Sequence, residues 1–150
     1  MAAYNKFQSF VEAVNEKKHD FSADTLKVFL TNSAPSATNT QLSNITEIDY
    51  TDCSSRTLTI SSSSQTSGTY SLKIDDLVLT SSGTVGPFRY IGIYNDTSTN
   101  DLLICWFDHG SNVTMTNGST YTIDFSTSGL FTMAWHAETL RILYKVVRNC

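Results

Sequence analysis

The chain is poor in charge, in proline and in glycine, and it has no long hydrophobic run. Only 16% of its 150 residues are Asp, Glu, Lys or Arg, against about 25% in an ordinary soluble domain. The formal net charge is −4, so no general attraction to nucleic acid or to an anionic membrane is expected. No apolar stretch approaches the roughly 20 residues that cross a bilayer as a helix. The opening residues, MAAYNKFQSFVEAVNEKKHD, lack the basic, apolar and small-residue segments of a secretory signal. The expectation is therefore synthesis in a cytosol without a cleaved leader. Cysteine is scarce as well. Cys53, Cys105 and Cys150 are odd in number and widely spaced, which argues against a disulfide framework and still more against a zinc site. Cys105, inside LLICWF, has the setting of a small buried hydrophobe, whereas Cys150 is a candidate exposed thiol.

Serine and threonine fill the space that charge leaves, at roughly a quarter of the chain. Such residues suit solvated strand faces and turns. Aromatic residues at 11% and an apolar fraction of 40% supply enough material for a packed core. Asn-X-Ser/Thr triplets occur at Asn44, Asn95, Asn112 and Asn117. In a chain of this composition they arise by chance, and without an export signal they carry no glycosylation argument.

Periodicity sets the expected elements. Phe7, Phe10, Val11 and Val14 fall at i, i+3, i+4 and i+7, an apolar stripe on a helix from about Asn5 to Lys17 with Asn5 as N-cap. The stripe either packs on a sheet or forms a partner-binding arm, and two bare phenylalanines would favour packing. From Leu26 the period becomes 2. Leu26–Thr31, Thr57–Ser61, Tyr70–Ile74, Leu77–Thr80, Arg89–Asn95, Leu102–Phe107, Thr120–Phe125 and Leu130–Trp135 are the expected strands. Asn44–Tyr50 is a short extended candidate, SSSSQTSG an exposed turn, and Asp75–Asp76 a bend or bulge. The segment 136–150 is ambiguous. As a strand it sets Leu140, Ile142, Tyr144 and Val146 on one face; as a helix it clusters Arg141, Lys145 and Arg148. No repeat or composition break divides the chain, so residues 1–150 are expected to make one domain. The fold class expected is mainly β: an antiparallel β-sandwich or jelly-roll-like domain with one N-terminal amphipathic helix within residues 1–18.

Groups able to do chemistry are few. Phosphate-binding glycine loops, HExxH, GxSxG and EF-hand spacings are all absent. Asp108, His109 and Ser111 place an acid, a base and a hydroxyl together. A triad, however, needs acid and nucleophile on opposite ring nitrogens, which neighbours in a turn rarely achieve. Asp96 and Asp101 flank NDTSTND, where loop oxygens suit calcium but equally suit a hairpin turn. His19, His109 and His136 are too dispersed to suggest a metal site. No catalytic residue, metal ligand or cofactor is assigned.

The opening MAAYNKFQSFVEAV, the segment DTLKVFLTNSAPSATNT followed by ITEI, and the block GPFRYIGIYNDTSTNDLLICWFDHGSNVT with its TYTIDF sequel resemble small virion proteins of tailed bacteriophages. Among these are the capsid cement, or decoration, proteins. The likeness runs from Met1 to about Trp135. It implies a structural protein made in the bacterial host cytoplasm and carried on the outer capsid surface. Its partners would be the major capsid protein and further copies of itself, as a homodimer or homotrimer bridging neighbouring capsomers. Contacts are expected from the helix, through Phe7, Phe10, Val11 and Val14, and from the loop Asn32–Thr40, through Asn32, Pro35 and Asn39. The basic residues Arg141, Lys145 and Arg148 are further contact candidates. A tail or baseplate component with a receptor- or glycan-binding role is the competing expectation, and a hydrolase resting on Asp108–Ser111 the third.

Overall fold

Alternating apolar residues become antiparallel strand pairs through most of the chain. The structure, a computed structural model, describes residues 4–134. In chain order it contains β1 (Tyr4–Lys6), α1 (Ser9–Asn15), β2 (Leu26–Thr31), a 3-10 turn (Leu42–Asn44), β3 (Ile60–Thr66), β4 (Thr69–Ile74), β5 (Leu77–Thr80), β6 (Val85–Asn95), β7 (Leu102–Met115), β8 (Thr120–Ile123) and β9 (Phe131–Ala134). The strands form a four-stranded sheet in the order β1-β7-β6-β2, a three-stranded sheet β3-β4-β9, and the pair β5-β8. Every pairing is antiparallel. The mainly β class is thus as expected.

The long hairpin β6–β7 is the centre of the four-stranded sheet, and its irregularities decide what faces where. Ile93 pairs with Cys105 but Tyr94 with Leu103, so Ile104 is the extra residue of a β-bulge. Ile104 and Cys105 consequently both enter the main core instead of alternating. That core gathers Val28, Leu30, Phe88 and Ile93 from the four-stranded sheet and Leu72, Leu79 and Ile123 from the other strands. A second, smaller core lies apart from it and joins Phe7, Phe29, Tyr94 and Leu103, with Leu42, Ile45 and Trp106 against it. Strand β2 serves both: Leu26, Val28 and Leu30 belong to the first cluster and Phe29 to the second. Such double burial explains why β2 carries a large apolar residue, Phe29, on the face opposite Leu26, Val28 and Leu30.

Strand β2 also ends its sheet, and the chain from Ile48 to Leu58 finishes its hydrogen bonding. Val28 N–H donates to Arg56 O at 2.9 Å, and Leu58 N–H donates to Leu26 O at 2.9 Å. The Tyr50 hydroxyl accepts from Leu30 N–H at 2.8 Å and donates to Glu47 Oε1 at 2.7 Å. Arg56 lies over the Tyr50 ring, 3.6 Å from its centroid, and donates through Nη1 to Val28 O. Covering an edge in this way satisfies the backbone and blocks pairing with another chain.

Several expectations change. The N-terminal stripe is not one helix from Asn5 to Lys17: Tyr4–Lys6 is a strand on β7, and the helix spans only Ser9–Asn15, with Gln8 at its N-cap. Pairing of Tyr4 with Phe107 and of Lys6 with Cys105 overrides the local helical period. SSSSQTSG is largely strand β3 and not a turn; the turn proper is Ser67–Gly68, with φ of +50° and +79°. Asn44–Tyr50 contains no strand. The stretch Asp108–Ser111 lies inside β7, as a bulge, and not in a turn. Strand Leu77–Thr80 has the expected bounds. Residues 136–150, with Arg141, Lys145, Arg148, His136 and Cys150, lie outside the described residues.

Candidate functional site

The three places where chemistry was conceivable are now defined by geometry. The first is the bulge in β7. Phe88 pairs with Val113 and Tyr90 with Asp108, so one residue of β6 faces four of β7, His109 to Asn112. Gly110 takes φ of +92° there, a conformation that glycine adopts without steric cost. Asp108 receives a two-pronged ion pair from Arg89, with Nε–Oδ1 at 2.8 Å and Nη2–Oδ2 at 2.9 Å, and a bond from Gly110 N–H at 2.7 Å. The Arg89 guanidinium, followed by the Gly110 amide, holds the Asp108 carboxyl below its ordinary range. His109 is exposed, and its Nδ1 is 3.1 Å from Ser111 O and 3.3 Å from Ser111 Oγ. Acid and hydroxyl therefore do not bracket the imidazole: Asp108 is committed to Arg89, and Ser111 sits on Nδ1. The arrangement secures a bulge; it does not assemble a triad.

The second place is a buried polar cluster. Asn95 Oδ1 accepts the backbone N–H groups of Thr97 and Ser98, at 3.0 and 3.1 Å. Its Nδ2 then points at Asp24 Oδ2, 2.6 Å away, and at His19 Nδ1, 3.0 Å away. The His19 ring is packed between Phe21, stacked at 5.5 Å, and Phe10 at 5.6 Å. Burial lowers the pKa of His19, and the Asp24 charge opposes this in part. His19 is a buried structural histidine, held by Asn95 and the two rings. The signal that could have found its partners is weak, because Asn95 lies 76 positions away.

The third is the loop Asp96–Asp101. Asp96 pairs with Lys27 at 2.8 Å, and Asn100 and Asp101 adopt φ of +69° and +51°, as hairpin turns require. Among the described residues, no group of three or more His, Cys, Asp or Glu side chains is placed to hold a metal ion. The Cys105 thiol is fully buried and its pKa is raised by that burial; Cys53 is half-buried and its pKa is raised likewise.

The expected contact residues separate into two groups. Phe7 and Phe10 are spent inside the fold, at 0% and 4% exposure in different cores. Packing, not presentation, is their role. Val11 is 48% exposed and Val14 half-buried. In the loop, Asn32 is exposed while Pro35 and Asn39 are half-buried. Asn39 Oδ1 accepts Ser36 N–H at 2.7 Å, Gln8 N–H donates to Ala37 O at 2.9 Å, and Leu103 N–H donates to Thr40 O at 3.0 Å. Loop and helix start are thus tied together beside the second core.

What sequence reasoning missed is a groove. Tyr4, Lys6, Val11 and Val14 line one wall and Phe131 and Met133 the other, around about 320 Å³. Beyond Tyr4 a second cavity of about 300 Å³ continues between Ile91, Phe107, Tyr121, Phe125 and Leu130. Of the groove's lining, Phe10, Val11 and Val14 were among the expected contact residues; the rest was not legible, because β1 and β9 meet through tertiary structure. No family model, curated protein or solved structure matches the chain.

Proposed function

We propose that the protein is a non-enzymatic structural component of a tailed-bacteriophage virion. It would act as a capsid cement protein that binds the outer shell and bridges neighbouring capsomers. In this reading the three antiparallel sheets form a sandwich around the main core, and the protein works as a homodimer or homotrimer. The observation that carries the reading is the state of the segment Pro87–Phe125, which holds one of the stretches behind the family resemblance. Its Asp108 is held by Arg89, its His109 turns to Ser111, and its strands β6 and β7 form the centre of the four-stranded sheet. The reactive side chains of that segment are consumed in holding shape, as suits a scaffold.

Function would then come from many weak polar contacts made at once. The hydroxyl-rich strand β3, with Ser61, Ser64, Gln65 and Thr66 exposed, offers such contacts at little desolvation cost. A symmetric oligomer that binds the assembled lattice, and not its dissociated subunits, stabilises the lattice by mass action. The test is to add purified protein to capsids from particles that lack it. Saturable binding at a fixed copy number per capsomer, with a higher temperature of capsid disruption, is the expected result. Absence of binding to intact shells would overturn the reading.

A further inference from the structure

We propose that Asn117 is a deamidation site whose reaction the fold holds shut through the backbone amide of Gly118. The chemistry is independent of any role in a virion. Asn117 is the only asparagine of the chain that is followed by glycine. In such a pair the glycine nitrogen reaches the asparagine Cγ easily, because no side chain on the following residue obstructs it. The glycine amide gives its proton to solvent base, and its nitrogen bonds to Cγ. The side-chain nitrogen takes up a proton and leaves as ammonia, so that a succinimide ring remains. Water then opens the ring at either carbonyl, giving aspartate or isoaspartate. Neither an enzyme nor an oxidant takes part.

The attacking atom is engaged in a hydrogen bond. Gly118 N–H donates to Ser81 O at 2.8 Å, and Ser81 N–H donates to Ser119 O at 3.1 Å. These two bonds carry the β5–β8 ladder past its last pair, Thr80 with Thr120. The acceptor is itself fixed: Ser81 is buried, bridges to Cys53, and donates through Oγ to Gly83 O at 2.6 Å. The turn is clasped as well. Ser119 N–H donates to Thr116 O at 2.9 Å, while Ser119 Oγ accepts Thr116 N–H at 2.9 Å and donates to Thr116 O at 2.7 Å. Gly118 is third in this turn, at φ of +78°, the place that a type II turn reserves for glycine. An amide held in this way neither loses its proton readily nor swings toward the Asn117 side chain. The reaction therefore waits for local opening of the turn. Asn117 itself is exposed, so the restraint lies in the backbone of its neighbour and not in burial. Isoaspartate adds a carbon to the main chain, and the Gly118–Ser81 bond then has no native register to return to.

The experiment ages the full chain in mildly alkaline buffer, folded and in urea. Peptide mass mapping follows asparagine, aspartate and isoaspartate at position 117, and hydrogen exchange of the Gly118 amide is read on the folded sample. Deamidation slower in the folded chain than in urea by about tenfold or more, with Gly118 protected by a similar factor, is the expected result. Ser119→Ala removes the side-chain clasp. It should speed deamidation and Gly118 exchange in the folded chain by the same factor and leave the rate in urea unchanged. Equal deamidation rates in the folded and the urea-treated natural chain would overturn the proposal. So would an Asn117 that stays intact in urea, or folded-state deamidation faster than the opening of the Gly118 amide allows.

Discussion

Phe29 lies across Gly92: the two residues pair directly between β2 and β6, and a Cβ on Gly92 would sit 2.0 Å from the Phe29 ring. The glycine is therefore a packing residue. It leaves the space in which a fully buried aromatic ring of the second core is seated. Gly92→Ala should destabilise the protein by about 1–3 kcal/mol through overpacking, measured by urea unfolding. Adding Phe29→Leu should restore part of the loss, since the two changes share one contact. Simple additivity would count against this account of the second core.

His19 makes stability depend on pH in a definite direction. Asn95 presents its NH2 to His19 Nδ1, so Nδ1 accepts and the ring proton sits on Nε2, which is buried and has no hydrogen-bond partner. A second proton would have to enter at Nδ1, against that donor. Folding thus favours the neutral ring, and burial sets its pKa below the ordinary 6.5. Stability is whole above that value and is lost as pH falls from it toward the folded pKa. Unfolding midpoints between pH 8 and pH 5 should decline below about 6.5, and His19→Phe should flatten the decline even if it lowers stability at every pH.

Tyr50 tests the covering of the β2 edge. Its hydroxyl accepts from Leu30 N–H and lies 3.2 Å from Leu30 O. Tyr50→Phe keeps the ring under Arg56 but takes the acceptor from Leu30 N–H, while Leu30 O keeps the Ile48 N–H at 3.1 Å; the stranded donor costs about 1–3 kcal/mol. Chemical denaturation reads this directly. The variant should also self-associate more readily, because an uncovered edge invites pairing.

His109 should be dispensable. His109→Ala is expected to leave the melting midpoint and capsid binding unchanged, since the ring is exposed and its described contacts are with Ser111 and the edge of Tyr121, at 5.9 Å between ring centroids. A hydrolytic activity abolished by this change would restore the enzymatic reading.

The parts of the fold legible in sequence were those whose signal is local. Leu77–Thr80 alternates between turn residues and is a strand with those bounds. Cys105 sits in an apolar run and is buried. Other parts were hidden because tertiary pairing decides them. Three residues cannot announce β1, which exists through its register on β7. Ser61–Ser64 has little strand character of its own and is held by β4. Phe7 and Phe10 share a helical spacing yet enter different cores, because the chain changes from strand to helix between Lys6 and Ser9. The candidate site had the same fate. Asp108, His109 and Ser111 were visible as neighbours, but Arg89, which decides what Asp108 does, is brought in by the β6–β7 pairing.

The central claim is a place on a virion, and a symmetry-averaged reconstruction of the particle tests it most directly. The account predicts that the antiparallel domain fits density on the outer face of the shell, repeated at the junctions between capsomers. Density confined to the tail or baseplate, with a bare outer shell, would contradict it.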